Sequence, residues 1–245
     1  MKKFLSVMLS VVFVLVANLT VCYAAIGGET VTPYPEGVTQ ELIDREAELL
    51  KNIEDNIDVI HLQIEEFKNR QAHTIQPYGV SYGGFQYLDG DILVTKSTSS
   101  FGLTGHAGII VGTKVLEITP GYNNGVPAAI SLSTWFTRYP KTIVMRYTVN
   151  RTIPVNAAWY GQTFYIDGDG KDNKNSVASS LTSLEKDYCS SLVWKCYHFG
   201  AGFDYKTFYD DARVWIVPNI ILPYDFVNGS YSAYNNFTAV HSVNW

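Results

Sequence analysis

Between Thr39 and Gln71 apolar residues recur at three- and four-residue steps: Leu50, Ile53, Ile57, Ile60, Ile64 and Phe67, with charges between them. That period fits the α-helical turn and predicts one amphipathic helix of about eight or nine turns, with Thr39 as its N-cap. After the breaker "QPYGVSYGG" the pattern changes to short, β-branched runs. "YLDGDILVTKS" predicts a strand near 91–96, "HAGIIVGTKVLEITPG" two strands hinged at Gly112–Thr113, and "TIVMRYTV" a strand over 142–149. "IPVNAAWYGQTF" predicts a short helix, "DGDGKDNKN" an acidic loop, and "EKDYCSSLVWKCYHFG" a short helix ended by glycine, with Cys189 at its head. The tail, with "VWIVP" and "FTAVHSV", is β-rich. No internal repeat interrupts this order, and the class it predicts is α+β with a mostly antiparallel sheet.

The opening stretch alters the picture. "MKKFLSVMLSVVFVLVANLTVCYA" has two lysines, an apolar run and small residues near its end, the layout of a secretory signal cleaved after Ala24. Asn18 and Thr20 interrupt the run before it reaches bilayer-spanning length, and Val21 is bulky where a lipoprotein signal wants a small residue. The expected organisation is therefore a signal peptide over 1–24, a Gly/Pro/Thr-rich linker over 25–38, the long helix over 39–72 and a globular domain over 73–245. The expected location is secreted or in the cell envelope. The linker and the helix leave two roles open for the helix: packing on its own domain or self-association through 39–71, and a propeptide-like arm.

Loss of residues 1–24 removes two of 18 basic residues and none of 23 acidic ones, leaving sixteen against 23 and a net charge of −7. A mildly acidic chain without a basic block argues against a nucleic-acid partner. The same cleavage removes Cys22 and leaves Cys189 and Cys196. Seven residues along a helix separate their α-carbons by roughly 10.5 Å, whereas a disulfide needs about 4.4–6.8 Å. Two unpaired thiols in an exported chain mark at least one as a candidate reactive group.

Cys189 follows Asp187, a natural N-cap, so its thiol falls in the first turn, where the helix dipole favours an anion; the charge of Asp187 works slightly against this. Packing is the competing role for any cysteine in an apolar helix, and Cys196, among Leu192, Val193 and Phe199, fits that role. A nucleophilic cysteine needs a base within hydrogen-bond reach and a group that orients the base. His198 is nine residues along the same helix, too far to serve. His61 and His73 belong to the N-terminal segment and His241 lies near the C-terminus. His106 opens the first hairpin strand among small residues. A two-residue turn at Gly112–Thr113 pairs Val111 with Lys114 and Gly108 with Glu117, which makes Glu117 a diagonal neighbour of His106 on one face. A register slip of one residue undoes this placement.

"GDILV" at 90–94, "HAGIIVG" at 106–112, a glutamate eleven residues after the histidine and "YCSSLVW" at 188–194 occur in one order and spacing. In this the chain resembles the circularly permuted NlpC-type, papain-fold cysteine hydrolases, in particular the YiiX/YycO-like branch, in which histidine precedes cysteine. The resemblance covers roughly residues 85–225. It implies a papain-like antiparallel sheet packed with helices, with Cys189 as nucleophile, His106 as general base and Glu117 as its orienting residue. It also implies Tyr188 as a substrate-lining aromatic and Asp91 as a structural residue. The backbone N–H of Cys189 is a candidate oxyanion donor.

The implied activity is that of a cysteine peptidase or amidase cleaving an amide in cell-wall-type or small peptides through a thioacyl-enzyme, without a cofactor. A thiol hydrolase or acyltransferase acting on lipid esters or amides is the alternative. An inert papain-like binding protein is the third reading. "DGDGKDN" at 167–173 departs from a calcium loop, because Lys171 occupies a ligand position and no glutamate closes it. Cys189, Cys196 and His198 are too widely spaced along one helix for a shared zinc ion. The Asn228 and Asn236 sequons are expected to be idle under bacterial-style export.

Overall fold

The β-branched runs assemble into a six-stranded antiparallel sheet. The computed structural model describes residues 37–71, 79–98, 105–177, 180–209 and 213–245. In chain order the elements are helices α1 (Gln40–Asp55) and α2 (Ile57–Gln71) and strands β1 (Val80–Tyr82), β2 (Phe85–Tyr87), β3 (Ile92–Thr95), β4 (His106–Val111), β5 (Lys114–Glu117) and β6 (Ala128–Ser131). Helix α3 (Leu132–Arg138), strand β7 (Thr142–Tyr147), helix α4 (Thr152–Tyr160), a π-helical turn (Gly161–Ile166), β8 (Lys174–Asn175) and β9 (Lys186–Asp187) follow. The chain ends with α5 (Cys189–Ala201), β10 (Thr207–Tyr209), β11 (Val214–Ile216), a 3₁₀ turn (Pro223–Phe226), α6 (Gly229–Tyr234) and β12 (Phe237–Val243).

The main sheet has the order β12-β7-β3-β4-β5-β6. All six residues of β4 are buried, because both faces of the strand are covered. Ala107, Ile109 and Val111 belong to the same cluster as Leu192, Val193 and Cys196 of α5. Ile110 belongs to the cluster of Trp135 and Val115. A strand buried on two sides reads as a continuous apolar run, which is what "HAGIIV" is.

The expectation of one uninterrupted helix over 39–72 is corrected. The helix breaks at Asn56, whose φ of −113° and ψ of 18° leave the helical region. Asn56 Nδ2 donates to the carbonyl of Asn52, the local competition with the helix ladder that asparagine offers. The expected cap is present, with Thr39 Oγ1 accepting from Leu42 N–H at 3.3 Å. Leu49, Ile53, Ile60 and Ile64 join the larger core cluster, so the apolar stripe packs within this chain. Arg45 grips Asp225 with two contacts, 2.8 and 2.9 Å, and Asp225 Oδ2 accepts from Leu222 N–H at 2.7 Å. Helix α1 is thereby tied to the 3₁₀ turn of residues 223–226.

Asp91 has the structural place expected of it. Its carboxylate is fully buried, receives Arg146 Nε and Nη2 at 2.7 and 2.6 Å and accepts from Leu88 N–H. Arg146→Met leaves that carboxylate buried without its cation. Urea denaturation is expected to show a loss of about 3–5 kcal/mol.

The predicted helix at "IPVNAAWYGQTF" is longer than its pattern, since α4 runs into the π-helical turn where Gly161 packs near Cys196 Sγ. Helix α3, strand β6 and the β1–β2 hairpin escaped the sequence pattern, each too short for a period to register. The signal peptide of 1–24, nearly all of the 25–38 linker, and His73 lie outside the described residues. Among those described, no helix is long and apolar enough to cross a membrane.

Candidate active site

Three segments meet at one end of β4. The β4–β5 hairpin has the register expected from its sequence: Val111 pairs with Lys114, Ile110 with Val115 and Ile109 with Leu116. Gly112 takes φ +59° in the turn, a conformation glycine adopts without strain. This register brings His106 and Glu117 together, and Nε2 of the ring lies 2.6 Å from Oε2 of the carboxylate. Both residues are buried, His106 at 4% exposure and Glu117 at 0%.

The third segment is the start of α5. Cys189 is half-buried and lines the same cleft as His106, close enough for its side chain to act on the imidazole. With Nε2 engaged by Glu117, Nδ1 is the ring nitrogen left for the sulfur. Burial alone opposes charge on this ring, but the hydrogen bonds and negative charge of Cys189 and Glu117 outweigh it and push the imidazole up to about 9. Burial likewise opposes charge on Glu117. The hydrogen bond and positive charge of His106, with help from Thr119 and Arg138, hold the carboxyl below its ordinary value.

Asp187 is not the cap that the sequence suggested. Tyr188 is the N-cap residue, and its N–H donates to Ser191 Oγ at 2.8 Å. Asp187 turns inward, fully buried, against Lys195 Nζ at 2.8 Å, Tyr165 OH at 3.0 Å and Asn173 Nδ2 at 2.8 Å. The expected charge of Asp187 beside the thiol is therefore answered by a buried lysine. Cys196 lies in the core, with its thiol pushed up by burial, and both cysteines are free. His198 faces elsewhere, paired with Asp204 and stacked on Trp194, while His241 stacks on Phe85.

Tyr188 lines the cleft, and its hydroxyl accepts from Ile221 N–H at 3.1 Å. The cleft above the thiol is small, about 70 Å³, and is bordered by Ile118, Pro120, Val177, Leu222 and Pro223 as well as by His106 and Cys189. Glu46 of α1 also lines it, and its Oε1 accepts from Gly105 N–H at 3.2 Å. Sequence reading placed α1 outside the site. The long-range contacts of Arg45 and Glu46 bring it there, and no local pattern announces them.

The surroundings of His106 were equally invisible in the sequence. Trp135 stacks on the ring at 5.5 Å and Tyr139 lies 4.9 Å from it. Thr119 Oγ1 donates to Glu117 Oε2 at 3.1 Å. Arg138 Nη1 lies 3.3 Å from Glu117 Oε1. Apart from Thr119, these come from α3 and the residue after it, the short helix that sequence periodicity did not register.

The arrangement can pass a proton between sulfur and ring while the carboxylate holds the ring's far side. No group of three or more His, Cys, Asp or Glu side chains among the described residues is placed to hold a metal ion. In the acidic 167–175 stretch, Asn173 is spent on Asp187 and on the Leu184 carbonyl.

No protein-family model matches the chain. Among curated proteins it is similar to an uncharacterized 30.3 kDa protein of Bacillus thuringiensis, 30% identical over 168 residues. That match covers 65% of this chain and 59% of the relative, so the chain spans under two thirds of the relative's length. Among solved structures it is similar to the metalloprotein yiiX from Escherichia coli O157:H7, at 20% identity and a TM-score of 0.37, over 49% of this chain and 69% of that one.

Proposed function

We propose that this protein is a cysteine hydrolase of the permuted NlpC-type, papain-like kind, cleaving an amide bond in cell-wall-type or small peptides outside the cytoplasm. One observation carries the reading: a half-buried thiol at a helix start shares a cleft with an imidazole whose Nε2 rests 2.6 Å from a buried carboxylate. Thiol, base and orienting group in one chain are the parts that nucleophilic catalysis requires.

In this mechanism His106 Nδ1 takes the thiol proton and Cys189 Sγ attacks the substrate carbonyl carbon. The developing oxyanion faces the N–H groups of the first turn of α5, which have no acceptor inside the helix. The tetrahedral species collapses as the imidazolium gives its proton to the leaving amine, and a thioester remains on Cys189. Water, deprotonated by His106, then attacks that thioester. The acid departs and the thiol is restored. Glu117 fixes the ring tautomer and offsets the positive charge that the ring carries between the two proton transfers.

The apolar lining of the cleft favours a second reading, a thiol hydrolase or acyltransferase that seats the acyl chain of a lipid ester or amide. Purified protein incubated with wall stem peptides and with fatty-acyl esters separates the two by which product forms.

Alkylation tests the site before any substrate is known. Iodoacetamide is expected to label Cys189 at least about a hundredfold faster than Cys196, read by peptide mass spectrometry, because only Cys189 is reachable and has a base beside it. His106→Ala removes that advantage. Equal rates for the two cysteines in the folded protein remove the basis for a hydrolase.

A further inference from the structure

The carboxylate of Glu117 has two oxygens and two cationic neighbours. We propose that Arg138 is a positioning residue for His106: it holds Oε1 of Glu117, leaves Oε2 to the imidazole, and by sharing the carboxylate keeps the ring able to give its proton back. The purpose assigned to it rests on the hydrolase reading; the juxtaposition does not.

Arg138 Nη1 is 3.3 Å from Oε1, on the side of the carboxylate away from the 2.6 Å contact with His106. The same helix supplies Trp135, three residues earlier, which stacks on the imidazole. One turn of α3 therefore carries both the platform under the ring and the second cation on its carboxylate. From outside, the guanidinium lies over the ring of Tyr122 at 3.6 Å, a cation–π contact that restrains it. An arginine closing a helix interacts favourably with the dipole wherever it points. Here it points at a fully buried carboxylate and keeps only 28% of its side chain exposed.

The charged and titratable groups around His106 come from four sides. Glu117 stands at the end of β5, with Arg138 and Tyr139 at the end of α3, Cys189 at the start of α5, and Glu46 of α1 across the cleft. Arg138 is the cation in this set. A second positive charge on Glu117 competes with the imidazolium for it. With Arg138 gone, His106 is the cation left on Glu117 and the protonated ring is favoured. An imidazolium held too firmly is a poor acid toward a leaving amine.

The test is a titration of the His106 ring resonances by NMR in the full-length protein, assigned with His106→Gln. In Arg138→Met the midpoint is expected to move to higher pH by about half a pH unit, an amount set by one partly screened charge. Any turnover found should show its alkaline limb displaced in the same direction, with KM unchanged. Arg138→Lys keeps the charge and should keep the wild-type midpoint. A midpoint in Arg138→Met that stays put or falls, in a protein with native circular dichroism, overturns the proposal. So does a shift in Arg138→Lys as large as that in Arg138→Met, because the effect is then one of shape. Failure of the hydrolase reading shows elsewhere, in Cys189 alkylated no faster than Cys196, and leaves the titration result interpretable.

Discussion

Cys189→Ala is expected to abolish turnover of whichever amide or ester the screen identifies, with a loss of at least about 10⁴-fold, since the thiol is the nucleophile and the hydroxyl nearest the ring, Thr119 Oγ1, donates to Glu117. The fold should survive, because Cys189 is half-buried at a helix start and its sulfur is not among the core-cluster residues. Product formation by mass spectrometry, with a thermal melt on the same sample, checks both halves. Turnover near the wild-type rate in a folded variant moves the chemistry to another part of the molecule. The buried Cys196 is no substitute, since burial pushes its thiol well up and keeps it protonated.

The second large effect comes from Glu117→Gln, which keeps the shape of the side chain and removes its charge. His106 then loses one of the partners that lift it to about 9, and its midpoint falls toward the ordinary histidine value. Turnover is expected to drop by about 10²–10⁴-fold, the range associated with losing the group that orients a catalytic histidine.

Stability should move with pH in a defined direction. A histidine raised in the folded state contributes fully below its unfolded value, about 6.5, and the contribution is lost as pH climbs through about 9. Glu117, lowered in the folded state, contributes above the ordinary glutamate value and loses its contribution as pH falls. Wild-type protein should therefore be most stable between roughly pH 4.5 and 6.5 as far as this pair decides it. On going to pH 9 it should lose on the order of 3 kcal/mol. Glu117→Gln should flatten that decline. Thermal melts from pH 5 to 10 on the two proteins provide the comparison, and parallel curves rule out the ion pair as their cause.

The hairpin that carries this pair was legible because its signals are local. Glycine at the turn, β-branched residues on both sides and a two-residue loop set the register, and register alone places His106 beside Glu117. The helix start at Cys189 was legible for the same kind of reason, a polar segment giving way to an apolar helical run. Aspartate is a good N-cap by type, so the local pattern points to Asp187. Tertiary contacts with Lys195, Tyr165 and Asn173 drew Asp187 away and left the capping to Ser191 and Tyr188. The break at Asn56 has no such local signal, because six apolar positions keep the helical period on either side of it, and a period does not show a single residue leaving the ladder.

By itself, then, the amino-acid order determined the α+β class, the hairpin register and which cysteine heads a helix. Each of these is written in residues within about a dozen positions of one another, where turn geometry and side-chain period act directly. The meeting of that cysteine with a histidine 83 positions earlier was decided by packing α5 across β4. The same packing level brought Arg138 to Glu117 and Glu46 to Gly105. Such contacts depend on how whole elements bury their apolar faces against each other, and that free energy belongs to the assembled core rather than to any local stretch of chain.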